Sequence, residues 1–478
     1  MKQKRGSSMK KNRELLKNTL ILSIGMVLPK IFTVLTIPIY SSYLDVAQFG
    51  VIDYVTTIIL GLAVPVLTLQ LENGVFRYLI DSKSEEEKQK NISTSFFIVF
   101  LLSLLSIIVM YFIPVDGLNT PLSRAILAIY VAIETLILYV RNVVRGLGNN
   151  GRYAFSSIIS VVVNFVMLVI MMMVLKAGMI GYLLALLIPD VVSLVYLLFS
   201  EKIYHYIRFR YFDYDYLKRL LHYSLPLIPN AVSWFIINFS DKIIILSLLG
   251  AAAQGIYATA NKIPNMFNMF YQAFSLAWTE SAARNADKNG IEKYYSRMFN
   301  ALFKVLSGGV GLLIAFAKLA FYILVHNPDY YDAINYMPLL IVSTYLSCIA
   351  AFYGSIYVAC KASKKAGVTS FFAAVINLAV HFALIKSVGL HAAVISTFVS
   401  FLVLTLYRAI DINRNYYQLH YNFRIICLVS VMIILFVATY YINLLPVTII
   451  SMVISIWFAW FLNEKMIMQI LHRFIKRS

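Results

Sequence analysis

The stretch Val161-Val-Val-Asn-Phe-Val-Met-Leu-Val-Ile-Met-Met-Met-Val-Leu175 decides the fold class of this 478-residue chain. Fourteen of its fifteen residues are apolar. The apolar run that contains it, 153–176, is long enough to cross a bilayer as a helix, which takes about 20 residues. Because lipid offers no hydrogen-bond partners to an open backbone, such a run predicts a transmembrane helix.

The same composition extends along the whole chain. Hydrophobic residues make up 60% of it and charged residues 13%, against about 45–50% and about 25% in soluble proteins. The formal net charge is nevertheless +19. No segment is polar enough to form a soluble nucleic-acid-binding module, so we expect no nucleic-acid partner.

Apolar runs of spanning length occur fourteen times, which predicts an all-α polytopic membrane protein with 14 transmembrane helices. The predicted spans are 18–42, 47–71, 93–114, 121–143, 153–176, 179–200, 221–248, 252–279, 298–325, 333–359, 366–386, 389–408, 422–442 and 445–462. Of the 41 basic residues, 33 fall at one side of these spans, and Arg124, Lys176 and Lys386 fall at the other. Because cytoplasmic connections are rich in Lys and Arg, this predicts that both termini are cytoplasmic.

The two halves of the sequence resemble each other at an offset of about 205–213 residues. The matched pairs are Gly50 and Gly255, Asn164 and Asn377, Gly178 and Gly389, and Tyr196 and Tyr407. The offset equals six predicted helices, an even number, so the halves should have parallel topology. Two lobes of this kind suggest a cleft that opens to either side, which is a transporter architecture.

The repeat also predicts the domain organisation. A basic cytoplasmic N-terminus, 1–17, precedes an N-lobe of six helices at 18–200. A cytoplasmic linker at 201–220 leads to a six-helix C-lobe at 221–410. Helices 13 and 14 and a basic cytoplasmic tail follow at 411–478.

Several classes of protein are disfavoured because the sequence lacks the loops or motifs that they need. The longest connection has about 22 residues, whereas a polymerase or ligase acting on lipid-linked sugars usually needs a large outer loop. The GxxxxGK[ST] motif of an ATP-driven transporter is absent from the sequence. The three cysteines form no metal-ligand pattern. We therefore expect no enzymatic activity, no cofactor and no metal.

Polar residues at membrane depth mark a candidate pathway, since a charge at a helix centre costs about 2.5–3.5 kcal/mol. Lys30 lies 12 residues into the first predicted span, beside Pro29. A polar stripe with spacings of three or four residues follows one face of the eighth span, with Lys262 beside it. Its members are Tyr257, Asn261, Asn265, Asn268 and Gln272. The alternatives are a lysine paired with a structural carboxylate and amides that hold helices together.

Three arginines are predicted at the inner level of the second and fourth spans: Arg77, Arg141 and Arg145. Guanidinium groups bind phosphate oxygens in a bidentate manner, so these residues suggest an inward-facing anion site. The alternative is ordinary anchoring by basic residues at the cytoplasmic surface.

Carboxylates within the spans are candidates for coupling transport to H⁺ or Na⁺, because a desolvated carboxyl exchanges protons readily. The candidates are Glu134, Asp190 and Asp241, with Asp53 as a further one. Each also suits a structural role, and Asp241 adjoins Lys242, which favours a local ion pair. His381, in the middle of the eleventh span, is interpreted as a satisfied core group.

Three motifs stand out along the sequence: Leu71-Glu-Asn-Gly-Val-Phe-Arg77-Tyr, Ser224-Leu-Pro-Leu-Ile-Pro229 with Asp241-Lys242, and Gly255-Ile-Tyr-Ala-Thr-Ala-Asn-Lys262-Ile-Pro264. Together they resemble motifs of the polysaccharide flippases, which carry O-antigen, capsule or exopolysaccharide repeat units. This family belongs to the multidrug/oligosaccharidyl-lipid/polysaccharide exporter superfamily. The resemblance extends over nearly the whole chain.

The resemblance implies a transporter of the bacterial cytoplasmic membrane that moves undecaprenyl-diphosphate-linked oligosaccharides to the outer leaflet by alternating access. It implies membrane lipid, a polysaccharide polymerase and glycosyltransferases as partners. We expect Lys30, Arg77 and Lys262 to contribute to the anion site, with Arg141 and Arg145 aiding capture. The alternatives within the superfamily are a cation-coupled multidrug or small-molecule antiporter and a lipid II flippase.

Overall fold

The structure is a computed structural model, and helices form most of the part of the chain that it describes. That part comprises residues 32, 34–115, 117–285, 290–360, 362–442 and 444–475. No strand occurs in these ranges, and the prediction of an all-α membrane protein is confirmed. The chain divides into two compact units, the first ending at Phe239 and the second beginning at Ser240. The predicted lobe and linker boundaries stay a prediction.

The first unit contains the helices that carry Glu134 and Asp190. In chain order they are α1 (Ile37–Tyr43), α2 (Val46–Ile58), α3 (Val64–Leu67), α4 (Leu71–Asp81), α5 (Glu85–Phe112), α6 (Pro121–Gly146), α7 (Asn150–Leu168), α8 (Gly178–Ser200) and α9 (Tyr214–Ser224). One π-helical segment, Ile59–Ala63, joins α2 to α3, and another, Val169–Val174, extends α7. Helix α6 is central because it packs against α4, α5 and α8.

Helix α10 (Leu227–Ala260) leads from the first unit into the second. The helices that follow are α11 (Lys262–Asn285), α12 (Ile291–Leu324), α13 (Met337–Ala359), α14 (Ser363–Val388), α15 (His391–Asn415), α16 (Phe423–Tyr441) and α17 (Leu445–Ile475). Helix α13 is central here and packs against α11, α12 and α15, while α16 and α17 pack against α12. The Trp278 ring stacks on Phe352 at 4.4 Å between centroids, which joins α11 to α13.

Twelve helices of the described ranges are long and apolar enough to cross a membrane. The predicted count of 14 is therefore not confirmed. Most of the predicted first span lies outside the described residues. The predicted eighth span corresponds largely to α11, which is not among the twelve because its polar residues lower the hydropathy.

The boundaries around the seventh span differ from the prediction. The expected span began at residue 221, whereas α9 ends at Ser224 and α10 begins at Leu227. Pro226 lies in this break, and proline cannot donate the amide hydrogen bond that a continuous helix needs. Helix α10 is kinked at Gly250, whose φ of 87° and ψ of 177° are not helical.

Two of the four pairs of positions matched by the internal repeat have similar structural features. Gly178 and Gly389 both have positive φ, 55° and 56°. The side-chain amide of Asn164 donates to the carbonyl oxygen of Ala185 on the following helix, at 2.7 Å. Asn377 likewise reaches the next helix, where its amide lies 3.4 Å from the hydroxyl of Thr397. These shared contacts support the interpretation of the sequence as a repeat.

Candidate functional site

Each unit contains a cluster of polar groups around a carboxylate in a membrane-spanning helix. In the first unit the cluster joins α6, α7 and α8. Oδ1 of Asp190 lies 3.8 Å from Nη2 of Arg141 and accepts a 3.1 Å hydrogen bond from the hydroxyl of Ser160. Asp190 is buried, while about a fifth of the Arg141 side chain is exposed. The sequence prediction placed these residues on separate spans without a contact between them.

Pro189 of α8 explains how the cluster is held in position. Pro189 lies inside α8 and cannot donate to the carbonyl oxygen four residues earlier, that of Ala185. The amide of Asn164 on α7 donates to this oxygen at 2.7 Å and so replaces the missing bond. Asp190, the next residue after the proline, is thereby fixed against α7.

Glu134 extends the first cluster along α6. The hydroxyl of Tyr130, one turn earlier, donates to Oε1 of Glu134 at 3.4 Å. Asp190 and Arg141 both interact electrostatically with Glu134. Two carboxyl groups and one guanidinium group therefore belong to the same cluster.

The three predicted anion-binding arginines have different surroundings. Arg145 lies over the ring of Phe76 at 4.8 Å and over that of Tyr153 at 5.3 Å. Arg77 forms a 2.7 Å ion pair with Asp81, and about half of its side chain is exposed. Arg141 contacts Asp190 instead. A common anion site formed by the three stays a prediction.

The Leu71–Tyr78 motif has an unusual backbone entry. Leu69 and Gln70 both have positive φ, which interrupts the helical conformation between α3 and α4. The Gln70 side chain donates to the carbonyl of Pro65 at 3.2 Å and accepts from the Asn73 amide at 2.8 Å. Asn73 of the motif and the preceding Gln70 thus stabilise the break before α4.

Glu72 within this motif is a buried carboxyl that the sequence analysis did not select. One carboxyl oxygen accepts from the Asn73 amide at 3.1 Å, and the other has no hydrogen-bond partner among the described residues. Burial raises the pKa of Glu72 to about 7. A glutamate directly after a long apolar run is the sequence signal that could have identified it.

In the second unit the cluster surrounds Asp241 of α10. Oδ1 of Asp241 lies 3.0 Å from Nδ1 of His381 on α14. Oδ2 lies 3.0 Å from the hydroxyl of Thr397 on α15 and 3.3 Å from that of Tyr257. The sequence analysis interpreted His381 as a core group, and the side chain is indeed fully buried. It did not predict the contact with Asp241, because α10 and α14 are far apart in the chain.

The polar stripe of the eighth predicted span separates into two parts. Tyr257 is buried at the end of α10, where it contacts Asp241, whereas Asn265 and Gln272 of α11 are exposed and Asn268 is half-buried. The break between the helices lies at Asn261, whose side-chain amide donates to the carbonyl of Tyr257 at 2.9 Å. Pro264 accounts for this break, since it cannot donate to the carbonyl of Ala260.

Two predicted lysines complete the candidate set. Lys262 is half-buried at the start of α11. Lys30 lies outside the described residues. In the part of the chain that is described, no group of three or more His, Cys, Asp or Glu residues could hold a metal ion.

Arg408 of α15 is a buried charge that the sequence analysis counted only as a topology signal. Its guanidinium donates to the hydroxyls of Thr369 and Ser370 and to the carbonyls of Ala350 and Ala366, at 2.8–3.0 Å. All four acceptors are uncharged, and they belong to α13 and α14. The arginine therefore links α15 to α13 and α14 through hydrogen bonds.

Comparison with solved structures identifies the fold. A structure described as the inward-facing conformation of a multidrug resistance MATE family transporter of the MOP superfamily is 16% identical and has a TM-score of 0.66. The alignment covers 83% of this chain and 98% of that one. An outward-facing MATE structure is 19% identical, with a TM-score of 0.57 and coverages of 83% and 96%.

A third similar structure is a MOP superfamily transporter from Pyrococcus furiosus, at 17% identity and a TM-score of 0.57, covering 83% of this chain and 95% of that one. Its description states that reverse polarity of the binding pocket suggests a different function for that protein. A search of curated proteins finds no match. At these identities the similar structures establish a shared fold.

The sequence of the chain also matches a family model described as polysaccharide biosynthesis protein, over residues 15–279. This match covers more than half of the chain and includes the Leu71–Tyr78 motif, both motifs around α10 and the first acidic cluster. It confirms the resemblance proposed from the sequence. The chain therefore belongs to the polysaccharide biosynthesis protein family and has the fold of MOP superfamily transporters.

Proposed function

We propose that the protein is a flippase that moves undecaprenyl-diphosphate-linked oligosaccharide repeat units from the inner to the outer leaflet of the bacterial cytoplasmic membrane. It would act by alternating access and supply cell-surface polysaccharide such as capsule, O-antigen or exopolysaccharide. The observation that carries this proposal is the combination of the polysaccharide biosynthesis family with a transporter fold.

The chemistry of the described residues supports a substrate that is both anionic and polar. Asn265, Asn268 and Gln272 present amides on the accessible side of α11, and amides suit the hydroxyl groups of a glycan. Arg77 and Arg145 are guanidinium groups that suit a diphosphate. The proposed anion site also includes Lys30 and Lys262.

The first acidic cluster supports coupling to a proton gradient. In this proposal Glu134 and Asp190 hold one proton between them, and Arg141 offers a counter-charge 3.8 Å from Asp190. Loss of the proton would leave two carboxylates beside one guanidinium, which favours solvent access to the site. In this proposal proton release and opening of the site are linked.

Reconstitution in liposomes tests the flippase proposal. The probe is undecaprenyl diphosphate carrying a fluorescent oligosaccharide, and a membrane-impermeant quencher reports which leaflet holds it. We expect the protein to equilibrate the probe between leaflets and the triple variant Asn265→Ala, Asn268→Ala, Gln272→Ala to slow this at least tenfold. Phe270→Ala is the matched control, because Phe270 is exposed on the same helix but apolar. Absence of probe movement with the wild-type protein would refute the proposal.

A multidrug antiporter is the second candidate, favoured by the similarity of the fold to MATE transporters. A cationic fluorescent drug and fluorescent lipid II, assayed in the same liposomes, separate the three transport functions. Movement of the drug without movement of the lipid-linked oligosaccharide would establish the antiporter. Movement of lipid II in preference to the oligosaccharide probe would establish the lipid II flippase.

A further inference from the structure

The cluster around Asp241 in the second unit has a feature that a purely structural hydrogen bond does not need. His381 is fully buried, with Nδ1 placed 3.0 Å from Asp241, yet its other ring nitrogen, Nε2, has no hydrogen-bond partner among the described residues. A buried polar atom without a partner destabilises the folded protein, because it has lost the hydrogen bonds it would make with water. An apolar side chain of similar size would avoid that cost.

We propose that His381 and Asp241 form a proton-binding site of the second unit. A role of this proton in transport rests on the proposed function, because the bound proton would contribute to coupling there. With Nδ1–H donating to Asp241, the lone pair of Nε2 is the position that takes up a proton. Protonation converts a buried pair with one negative charge into a neutral ion pair, so the occluded site is stabilised in its proton-loaded form.

The neighbours of Asp241 hold it in position for this role. Thr397 has one hydroxyl proton but two acceptors, Oδ2 of Asp241 at 3.0 Å and the carbonyl of Ala393 at 2.7 Å. The hydroxyl proton can therefore serve either the carboxylate or the backbone as the charge of the site changes. Tyr257 supplies a second hydroxyl to the same carboxylate oxygen.

Few other charges surround the imidazole. On α10 the titratable or charged residues nearby are Asp241, Lys242 and Tyr257. Along α15, Arg408 and Asp411 lie eleven and fourteen residues beyond Thr397, about 16 Å or more by helical rise. At the start of α15, the ring of His391 lies 4.7 Å from that of Tyr336, between centroids, in a tilted arrangement. Lys386, five residues beyond His381 on α14, is exposed. The charge of His381 therefore depends chiefly on Asp241.

The same contacts favour a proton over a sodium ion. Hard cations take several oxygen ligands, whereas imidazole nitrogen suits softer transition metals. Nδ1 of His381 occupies one oxygen of Asp241, and two hydroxyl groups lie against the other. We therefore expect the site to bind protons independently of sodium.

Nuclear magnetic resonance of the full chain in lipid nanodiscs, with isotopically labelled histidine, tests the site without any transport assay. The chain has seven histidines, and His381→Asn assigns the signal by its loss. Should that variant not fold, a chain with the other six histidines replaced by Gln retains only the His381 signal. We expect the His381 signal to respond to added acid, and we expect Asp241→Asn to require at least tenfold more acid for the same response.

Three results would overturn the proposal. They are a His381 signal that stays in one protonation state from pH 5 to 9, a titration unaffected by Asp241→Asn, and a signal displaced by sodium chloride but not by choline chloride.

In liposomes with the lipid-linked probe, His381→Gln should abolish the response to an imposed pH gradient, while His391→Gln should keep it. If the wild-type protein moves no probe, the flippase proposal fails, and the titration still decides whether the proton site exists.

Discussion

The guanidinium of Arg141 lies 3.8 Å from the carboxylate of Asp190, 49 residues later in the chain and on a different helix. This contact turns two residues that the sequence suggested for different roles, anion capture and ion coupling, into parts of one cluster. Arg141 also interacts with Glu134, so a single positive charge serves two carboxyl groups. The consequences of removing either partner can be measured.

Arg141→Gln should destabilise the protein by about 2 kcal/mol, because it leaves the buried Asp190 and the neighbouring Glu134 without a counter-charge. Fully buried pairs lose roughly 3–5 kcal/mol when one partner is removed, and the loss here should be smaller since Arg141 is about a fifth exposed. Thermal unfolding of the purified protein measures it. The double variant Arg141→Gln, Asp190→Asn should recover part of the loss; equal or greater damage in the double variant would argue against the pairing.

Gly74→Ala should disrupt the packing of α4 on α9. A Cβ atom at Gly74 would lie 2.4 Å from Oγ of Ser224, well inside contact distance. The next nearest atom is 3.6 Å away, in Leu220. We expect a loss of about 1–3 kcal/mol, the usual cost of overpacking, visible as a lower melting temperature.

Ser224→Ala provides the rescue, since it removes the atom that the new methyl group would meet. The double variant Gly74→Ala, Ser224→Ala should melt near the wild-type temperature. Gly367→Ala is the matched control, because Gly367 is also helical and nothing lies within 4 Å of its added Cβ. A Gly74→Ala protein as stable as the Gly367→Ala protein would disprove the close approach.

Glu72 should make stability depend on pH. Its pKa is about 7 in the folded chain against 4.5 for the unperturbed group, so between these values the folded chain holds a proton that the unfolded chain has released. Stability should therefore fall as pH rises from about 4.5 to 7, by about 3 kcal/mol at most, and then level off. Unfolding midpoints measured across this range test the effect.

Glu72→Gln should remove this pH dependence, because the amide mimics the protonated carboxyl. Glu86→Gln is the control, since Glu86 is an exposed partner of Lys90 whose pairing is screened by solvent. A wild-type protein that becomes more stable from pH 4.5 to 7, with Glu72→Gln showing the same rise, would contradict the burial of a neutral carboxyl.

Arg408→Lys should destabilise the second unit although it keeps the positive charge. An ammonium group cannot reach the four acceptors that the planar guanidinium joins on α13 and α14. We expect a loss of about 2–4 kcal/mol, from unmade hydrogen bonds to buried groups. Arg414→Lys, at an exposed position of the same helix, should have no effect. Equal melting temperatures for the two variants would show that charge alone matters at Arg408.

Much of the architecture could be predicted because each helix must satisfy its own backbone in lipid. The predicted spans 3 to 6 agree with α5 to α8, with the π-helical extension of α7 included, to within three residues at each end, except that α5 begins eight residues earlier, at Glu85. The prediction was least accurate around Pro226, Gly250 and Asn261, where helix breaks divide segments that are apolar on both sides. Hydropathy is insensitive to such breaks, because they change the backbone rather than the composition.

The site was predictable only as a set of unusual residues. Asp190 and Asp241 stand out as carboxylates in apolar segments, and the tertiary structure brings each to its own partners. The pairing of Asp241 with His381 joins residues 140 positions apart. Arg145 could not be distinguished from Arg141 by spacing, yet it lies between aromatic rings rather than beside a carboxylate.

The sequence by itself determined the membrane class, the helical fold and the family, because hydropathy, the distribution of basic residues and local motifs are properties of the chain alone. Only the tertiary structure decided which polar groups meet: Arg141 with Asp190, and His381 with Asp241. The physical reason is that a buried charge is tolerated through partners on other helices. Packing selects those partners, and no local pattern in the sequence records the choice.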